Sequence, residues 1–323
     1  MISHSGPAEV LTVRQVDDPS PGPAEILARV HATALNRADI LQREGQYPPP
    51  PGVRADIPGL EFAGRVEKTG EKVSLFHPGD RVMGLLPGEG YAEKIVTSER
   101  LALPIPDRLS WEEAAAIPEV FMTAFDALFP RLGVKLGERI LVHAVASGVG
   151  TAVVQLAKAA GVEVFGTAGS DGKLKKAEKW GLDHAINYKK QDFEEELARL
   201  TEGRGVDAIV DLVGASHWQK NLRSLAPRGR LVLIGLVGGR RAQIDLSLIL
   251  KKRLKIEGTV LRSRPLEEKI RLTQELRKHV LPLFESAKIR PVIDRVFPLE
   301  EAAEAHRRME ANRNTGKIVL KVV

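Results

Sequence analysis

The spacing of apolar residues along this chain changes near residue 110. Before it, they fall in short runs such as Ile26-Leu27-Ala28-Arg29-Val30 and Arg81-Val82-Met83, separated by Gly/Pro turns. Such runs predict β-strands, so residues 1–110 read as β-rich. Pro48 to Pro51 can join neither a helix nor a central strand, and they mark a rigid loop after Tyr47. From Trp111 to Leu128 the spacing becomes helical, with an interruption at Pro118.

Beyond Glu138 the pattern alternates. Ile140–Val142 is a short apolar run, followed by a Gly-containing turn and an amphipathic helix over Thr151–Ala160, which Gly161 ends. A strand at Val162–Thr167 and a helix at Lys173–Trp180, stopped by Gly181, come next. Strands are expected at Ala185–Asn187, Ala208–Val210, Leu231–Ile234 and Ile256–Leu261. A helix over Pro265–Phe284, a strand over Val292–Phe297, a helix over Leu299–Ala311 and a strand over Lys317–Val322 close the chain. Alternating strands and helices at these intervals predict an α/β fold with a doubly wound parallel sheet, next to a smaller β-rich domain.

Composition narrows the picture. A chain of 323 residues suggests about two domains, and 43% hydrophobic residues can build a sizeable core. No apolar run approaches the roughly 18 residues that read as a membrane span. Met1 to Val10 lacks the basic and apolar regions of a signal peptide, so a cytoplasmic location is expected. With zero Cys there are no disulfides or iron–sulfur clusters, and the 8 His show no ligand spacing. A net charge of +6 could serve an anionic ligand or nucleic acid. Both signs are interspersed, however, and aromatics are only 5%, which favours a mixed solvated surface over a nucleic-acid platform.

The candidate chemistry sits in the first strand–turn–helix of the alternating region. Ala146-Ser147-Gly148-Val149-Gly150 lies where backbone N–H groups and a helix N-terminus would face a pyrophosphate. Read as Gly-x-Gly-x-x-Gly ending at Gly150, the first two glycines are Val145 and Ser147. A β-branched Val145 requires the turn to avoid positive φ there. Ser147 offers a hydroxyl to phosphate or nicotinamide. About 20 residues on, the second strand ends in Thr167-Ala168-Gly169-Ser170, with Lys173 following, where an NAD site usually carries an acid. Ser170, Lys173 and the phenol of Tyr188 suit a 2′-phosphate, so NADPH is the expected cofactor. Asp171 is the one opposing charge. Ser170 also reads as an N-cap.

The whole chain resembles the zinc-independent quinone oxidoreductases, the zeta-crystallin-like branch of the medium-chain dehydrogenase/reductases. The resemblance rests on Asn36-Arg37-Ala38-Asp39, Gly45-Gln46-Tyr47, Pro58-Gly59-Leu60-Glu61, Gly79-Asp80-Arg81-Val82 and Gly90-Tyr91-Ala92-Glu93. It extends through Ala115-Ala116-Ile117-Pro118-Glu119, Thr123-Ala124-Phe125, Asn187-Tyr188-Lys189-Lys190, Leu261-Arg262-Ser263-Arg264 and Gly316-Lys317-Ile318-Val319-Leu320. Zinc-dependent relatives carry Cys and His where Asn36 and Leu60 stand. Neither replacement is a usual zinc donor, so no metal is expected.

The resemblance implies a GroES-like catalytic domain from residues 1–116 and 264–323, around a Rossmann domain over 117–263, with the active site between them. It implies that Asn36 and Thr123 lie near the nicotinamide and that Tyr47 borders a quinone pocket. Ser170, Lys173 and Tyr188 would hold the 2′-phosphate, with Gly235, Leu236 and Lys317 also approaching the cofactor. Tyr47, Asn36 and Ser147 are the candidate donors to a developing oxyanion, although Tyr47 could simply pack on the prolines and Asn36 cap a helix. The expected activity is NADPH-dependent quinone reduction. Reduction of enones or enoyl groups is the alternative, and an NADPH-binding role in RNA or protein contact is a third reading. An apolar last strand at Ile256–Leu261 needs cover, which a second copy of the chain would supply as a homodimer.

Overall fold

The short apolar runs of the first 110 residues fold as strands, as the pattern predicts. In the computed structural model, which describes residues 1–323, the N-terminal strands are β1 (Glu25–Ala34), β2 (Glu61–Thr69), β3 (Arg81–Leu85), β4 (Lys94–Ser98) and β5 (Ala102–Pro104). Helix α1 (Arg37–Arg43) follows β1, and α2 (Trp111–Ala115) and α3 (Pro118–Asp126) follow β5. Pro118 opens α3, where its missing N–H costs no helical hydrogen bond.

The alternating region supplies β6 (Arg139–Val142), α4 (Gly148–Ala159), β7 (Glu163–Ala168), α5 (Asp171–Glu178) and β8 (His184–Asn187). It continues with α6 (Phe193–Leu200), β9 (Val206–Asp211), α7 (Trp218–Ser224), β10 (Leu225–Leu233), α8 (Leu246–Lys252) and β11 (Lys255–Gly258). The chain then adds α9 (Leu266–His279), α10 (Leu281–Glu285), β12 (Ile293–Pro298), α11 (Ala302–Glu310) and β13 (Lys317–Lys321).

Two units result. One joins Met1–Met122 to Leu261–Val323; the other is Thr123–Val260. In the first, a seven-stranded sheet runs β12-β13-β1-β2-β3-β5, with β4 also paired to β1. Inward residues of β1 and its neighbours, Ile26, Val30, Phe62 and Val82, form one core, and Leu35, Ile40, Phe297, Met309 and Ile318 form another. Strand β13 pairs antiparallel with β1 and parallel with β12, so the C-terminal tail lies inside this sheet.

In the second unit six parallel strands run β11-β10-β9-β6-β7-β8. This is the doubly wound dinucleotide-binding order, which reverses between β6 and β9. Leu141, Phe165, Ile186, Phe193, Ile209 and Leu231 pack its core.

Several boundaries differ from the sequence reading. Helix α4 starts at Gly148, three residues before the expected Thr151, because Ser147 caps it. The helix expected over Pro265–Phe284 breaks into α9 and α10, since Pro282 cannot donate within a continuous helix. The expected helix at Leu299 begins as a 3₁₀ turn, Leu299–Glu301. Strand β11 stops at Gly258 instead of reaching Leu261. The Thr259 hydroxyl is bonded to Asp126 Oδ2 at 2.9 Å, and Leu261 already belongs to the first unit.

Candidate active site

The turn after β6 is built without glycine at its tightest point. Ala144 takes the left-handed conformation, with φ of 49°, while Val145 keeps negative φ and is fully buried. Ser147 is the N-cap of α4, and its Oγ accepts from the Gly150 N–H at 3.0 Å, leaving its own O–H free to donate. Gly150 is needed for close approach. A Cβ there would lie 2.5 Å from the Ala144 carbonyl oxygen and 2.6 Å from that of Val145. Backbone presses on backbone at Gly150, whose N–H is held by Ser147, leaving the N–H groups of Gly148 and Val149 at the open start of the helix.

Beneath this turn lies a buried polar network. His143 Nδ1 pairs with Thr167 Oγ1 at 2.8 Å, and Nε2 with Asn221 Oδ1 at 2.7 Å. Asn221 donates to Asp211 Oδ2 at 3.0 Å, and Asp211 Oδ1 accepts from the N–H groups of Val213 and Gly214. Burial pushes His143 down to about 4, so it is a neutral strut. The network ties the ends of β6, β7 and β9 together. The loop after β10 is pinned beside it: Ile234 N–H bonds the Asp211 carbonyl at 2.8 Å, and Gly238 N–H bonds that of Val213 at 2.7 Å. Gly235 and Leu236 lie in this loop, and Leu236 is exposed.

Ser170, Lys173 and Tyr188 belong to one locality. Ser170 caps α5 by accepting from Lys173 N–H at 3.4 Å, so the capping reading holds. Tyr188 lies over Gly169, where an added Cβ would come within 2.7 Å of the phenol oxygen. The Tyr188 ring also meets His217 edge-on, with centroids 5.9 Å apart. Asp171 is held at 2.6 Å by Asn187 Nδ2 and at 2.6 Å by Lys190 Nζ. These partners hold its carboxyl below the usual range and offset its charge. Thr123, on α3, is buried.

The remaining candidates lie in the first unit. Lys317 on β13 is 3% exposed, and its ammonium meets the Leu35 carbonyl at 2.6 Å, Asn36 Oδ1 at 2.6 Å and Glu61 Oε1 at 2.7 Å. All three of its hydrogens are therefore used. Asn36 donates from Nδ2 to Glu61 Oε1 at 2.8 Å and to the Ala34 carbonyl at 3.3 Å. Both amide hydrogens are spent, which corrects the expectation of Asn36 as an oxyanion donor. Its Oδ1 is taken up by the Lys317 ammonium, and Asn36 has no hydrogen left to give. It does open α1, as the capping reading foresaw.

Glu61 is fully buried, and its second oxygen takes the Glu119 N–H at 2.8 Å. Next to it, Asp39 accepts from the N–H groups of Asn36 at 2.8 Å and Gly59 at 3.1 Å, and from Tyr91 Oη at 3.3 Å. Burial raises Asp39 to about 6. Tyr91 in turn meets His306 Nε2 at 3.1 Å, and Arg43 Nη1 lies 3.3 Å from Nδ1.

Tyr47 is half-buried, and its hydroxyl has no partner in the chain. The Arg262 guanidinium lies 5.3 Å from its ring centroid. Arg262 also bonds the Tyr47 carbonyl at 3.2 Å. No group of three or more His, Asp or Glu is arranged to hold a metal ion.

Residues 22–107 match the alcohol dehydrogenase GroES-like domain, and residues 148–280 the zinc-binding dehydrogenase family. Over 326 residues the chain is 35% identical to a quinone oxidoreductase of Pseudomonas aeruginosa, covering 98% of this chain and 97% of that one. The chain belongs to the medium-chain dehydrogenase/reductase superfamily. Its relatives there are quinone oxidoreductase-like: quinone oxidoreductase-like protein 2 of Bos taurus is 34% identical, covering 96% of this chain and 88% of that protein.

Solved structures agree. Escherichia coli quinone oxidoreductase complexed with NADPH superposes with a TM-score of 0.90 at 30% identity, covering 99% and 98% of the two chains. An NAD-dependent alcohol dehydrogenase gives 0.89 at 35%, covering 100% and 98%. CurK enoyl reductase gives 0.87 at 30%, covering 99% and 97%. The protein is thus an oxidoreductase with a GroES-like N-terminal domain and a Rossmann-like, NAD(P)-binding sheet. The Gly150 cradle and the capped start of α4 fit such a dinucleotide.

Sequence reasoning missed Arg262, Glu61 and the Asp39–Tyr91–His306 network as working parts. Each stood in a quoted motif or near one, but their pairings join segments far apart in sequence.

Proposed function

We propose that this protein reduces quinones with NADPH and without zinc. The observation that carries the coenzyme choice is the state of Asp171. The one acid beside Ser170, Lys173 and Tyr188 is paired with Lys190 and Asn187, which leaves that locality suited to a 2′-phosphate. In this reading Ser170 Oγ, the Lys173 ammonium and Tyr188 Oη bind the phosphate, Gly148 and Val149 present N–H groups to the pyrophosphate over the close approach that Gly150 allows, and Gly235 and Leu236 border the coenzyme. Asn36 and Thr123 are the residues expected near the nicotinamide. When bound, NADPH supplies the hydride.

The acceptor must be reactive without a Lewis acid. A quinone meets that condition, because its carbonyl carbons sit in a ring that becomes aromatic on reduction. The cation at Asn36 is Lys317, buried and fully bonded, so it fixes Asn36 and Glu61 instead of polarising a substrate. Tyr47 and Ser147 keep free O–H groups and serve as donors to oxygen. The likeness to CurK enoyl reductase supports a second reading, reduction of an enone or enoyl group by the same donors.

For assembly, we propose a homodimer through β11. Its outer edge is unpaired within the chain, and Leu246, Leu250 and Val260 nearby are exposed.

The test is steady-state oxidation of NADPH and NADH by chelator-treated protein with ortho- and para-quinones and 2-alkenals. Turnover of quinones with NADPH preferred is expected. Activity that appears only after Zn²⁺ is added, or only with NADH and an alcohol or aldehyde, would refute the reading.

A further inference from the structure

Arg262 is a buried cation without a counter-ion. It is 5% exposed, and it donates from Nε to the Pro87 carbonyl at 2.7 Å, from Nη1 to the Tyr47 carbonyl at 3.2 Å and from Nη2 to Gln42 Oε1 at 2.5 Å. All three partners are neutral oxygens. A guanidinium withdrawn from water without a carboxylate is costly. The chain nevertheless makes room for it: a Cβ on Gly88 would lie 3.3 Å from Nη2 and 2.7 Å from Val53 Cγ1. The guanidinium carbon lies over the ring of Tyr47, 5.3 Å from its centroid, and the Tyr47 hydroxyl has no partner in the chain.

We infer that Arg262 is a positioning residue for the acceptor site, holding the Tyr47 ring and favouring proton transfer from its hydroxyl to an acceptor whose reduction puts negative charge on oxygen. The inference rests on the proposed quinone or enone reduction. In that step the acceptor gains the hydride's two electrons and the coenzyme is oxidised. The Tyr47 O–H bond breaks as a bond from that proton to the acceptor oxygen forms. The phenolate left behind faces Arg262 until solvent returns a proton.

The electrostatics agree with the geometry. Burial raises Tyr47, and Arg262 pulls it back down; Glu119 is the other charge acting on the phenol, in the opposite sense. Burial lowers Arg262 itself, against the attraction of Asp39 and Tyr47. Loss of the guanidinium should therefore make Tyr47 a weaker acid.

The chain has 3 tyrosines, so its phenols can be titrated by ultraviolet absorbance. In a Tyr188→Phe background only Tyr47 and the buried Tyr91 remain, and burial lifts Tyr91 well above the usual phenol range. Tyr47→Phe assigns the earlier midpoint. Arg262→Gln is expected to raise that midpoint by about half a unit or more and Arg262→Lys to leave it near the parent value. In the wild-type background Arg262→Gln should lower kcat with a quinone about tenfold, shift the alkaline limb of the kcat profile upward by the same amount, and leave KM for NADPH unchanged.

A midpoint that does not rise in folded Arg262→Gln overturns the inference. So does a kcat and pH profile that ignore the substitution. Should Arg262→Gln fail to fold, Arg262→Lys decides. An unchanged midpoint with kcat largely kept supports the inference, while a kcat loss as large as that of Tyr47→Phe at an unmoved midpoint overturns it. Parent protein that oxidises NADPH with no quinone or enone refutes the functional reading, and in that event a raised midpoint still supports the Arg262–Tyr47 coupling.

Discussion

Replacing Lys317 with Met removes one charge and three hydrogen bonds while keeping much of the side-chain length. The ammonium is buried against Glu61 Oε1 at 2.7 Å and Asn36 Oδ1 at 2.6 Å, and Glu61 is fully buried. Breaking such a pair from one side costs about 3–5 kcal/mol, because the other charge is left in a medium that cannot solvate it. Glu61 keeps two donors, Asn36 Nδ2 and Glu119 N–H, which places the expectation toward the lower end, about 3 kcal/mol. In a body of this size that lowers Tm by roughly 6–12 °C. Denaturant unfolding followed by circular dichroism, without coenzyme, measures it. Glu61→Gln should be destabilising alone, and the double variant should be less destabilised than the sum of the singles by about 1–3 kcal/mol. A Lys317→Met protein within 1 kcal/mol of the parent, or strictly additive singles, would refute the argument that a buried ion pair organises Asn36.

Other expectations follow from the same structure. Lys173→Ala should weaken NADPH by about 1–3 kcal/mol with little effect on NADH, measured by titrating each coenzyme; equal losses would reduce Lys173 to an ordinary helical residue. Stability should fall as pH drops from about 6.5 toward 4. His143, His217 and His306 are pushed by burial to about 4, about 4 and about 3, so the unfolded chain binds their protons first and their contribution is lost on acidification. Asp39, raised to about 6, works the other way, since its folded form holds a proton up to that pH. Urea midpoints across that range check the balance, and Asp39→Asn should steepen the acid loss; a midpoint that rises toward pH 4 contradicts it. Sedimentation at micromolar concentration should show twice the 35.3 kDa chain mass, and Val260→Lys should shift it toward one. A single-chain species at every concentration removes the dimer.

What could be read in the sequence was what is local in the chain. The strand–turn–helix at Ile140 to Ala160 announced itself because its apolar runs, its glycines and Ser147 lie within one window. The paired Ser170 and Lys173 were legible for the same reason. Hidden were features whose partners are remote. Nothing near Lys317 in sequence says that its ammonium reaches Asn36, and so nothing warned that Asn36 has no hydrogen left to donate. Arg262 stood in a motif already singled out, yet its meaning depends on Gln42, Tyr47 and Pro87, which only the folded sheet gathers. Boundaries slipped where a side-chain bond outweighed propensity: Ser147 lengthened α4, and Thr259, tied to Asp126, cut β11 short.

The place of β13 in the middle of the first unit's sheet bears on how the protein is made. The second unit is one continuous stretch, so a ribosome delivers all of it before α9 emerges. The first unit cannot close on that schedule. Strand β1 waits with the Ala32–Ala34 stretch of one edge open, beyond the part β4 covers, and Glu61 lacks its cation until residues 317–321 arrive to lie between β1 and β12. During synthesis the early strands are therefore an exposed, apolar half-sheet, the kind of species that chaperones hold and that aggregates when they do not. Chains cut short before Lys317 should accumulate in that state, with a folded nucleotide domain attached to an insoluble one.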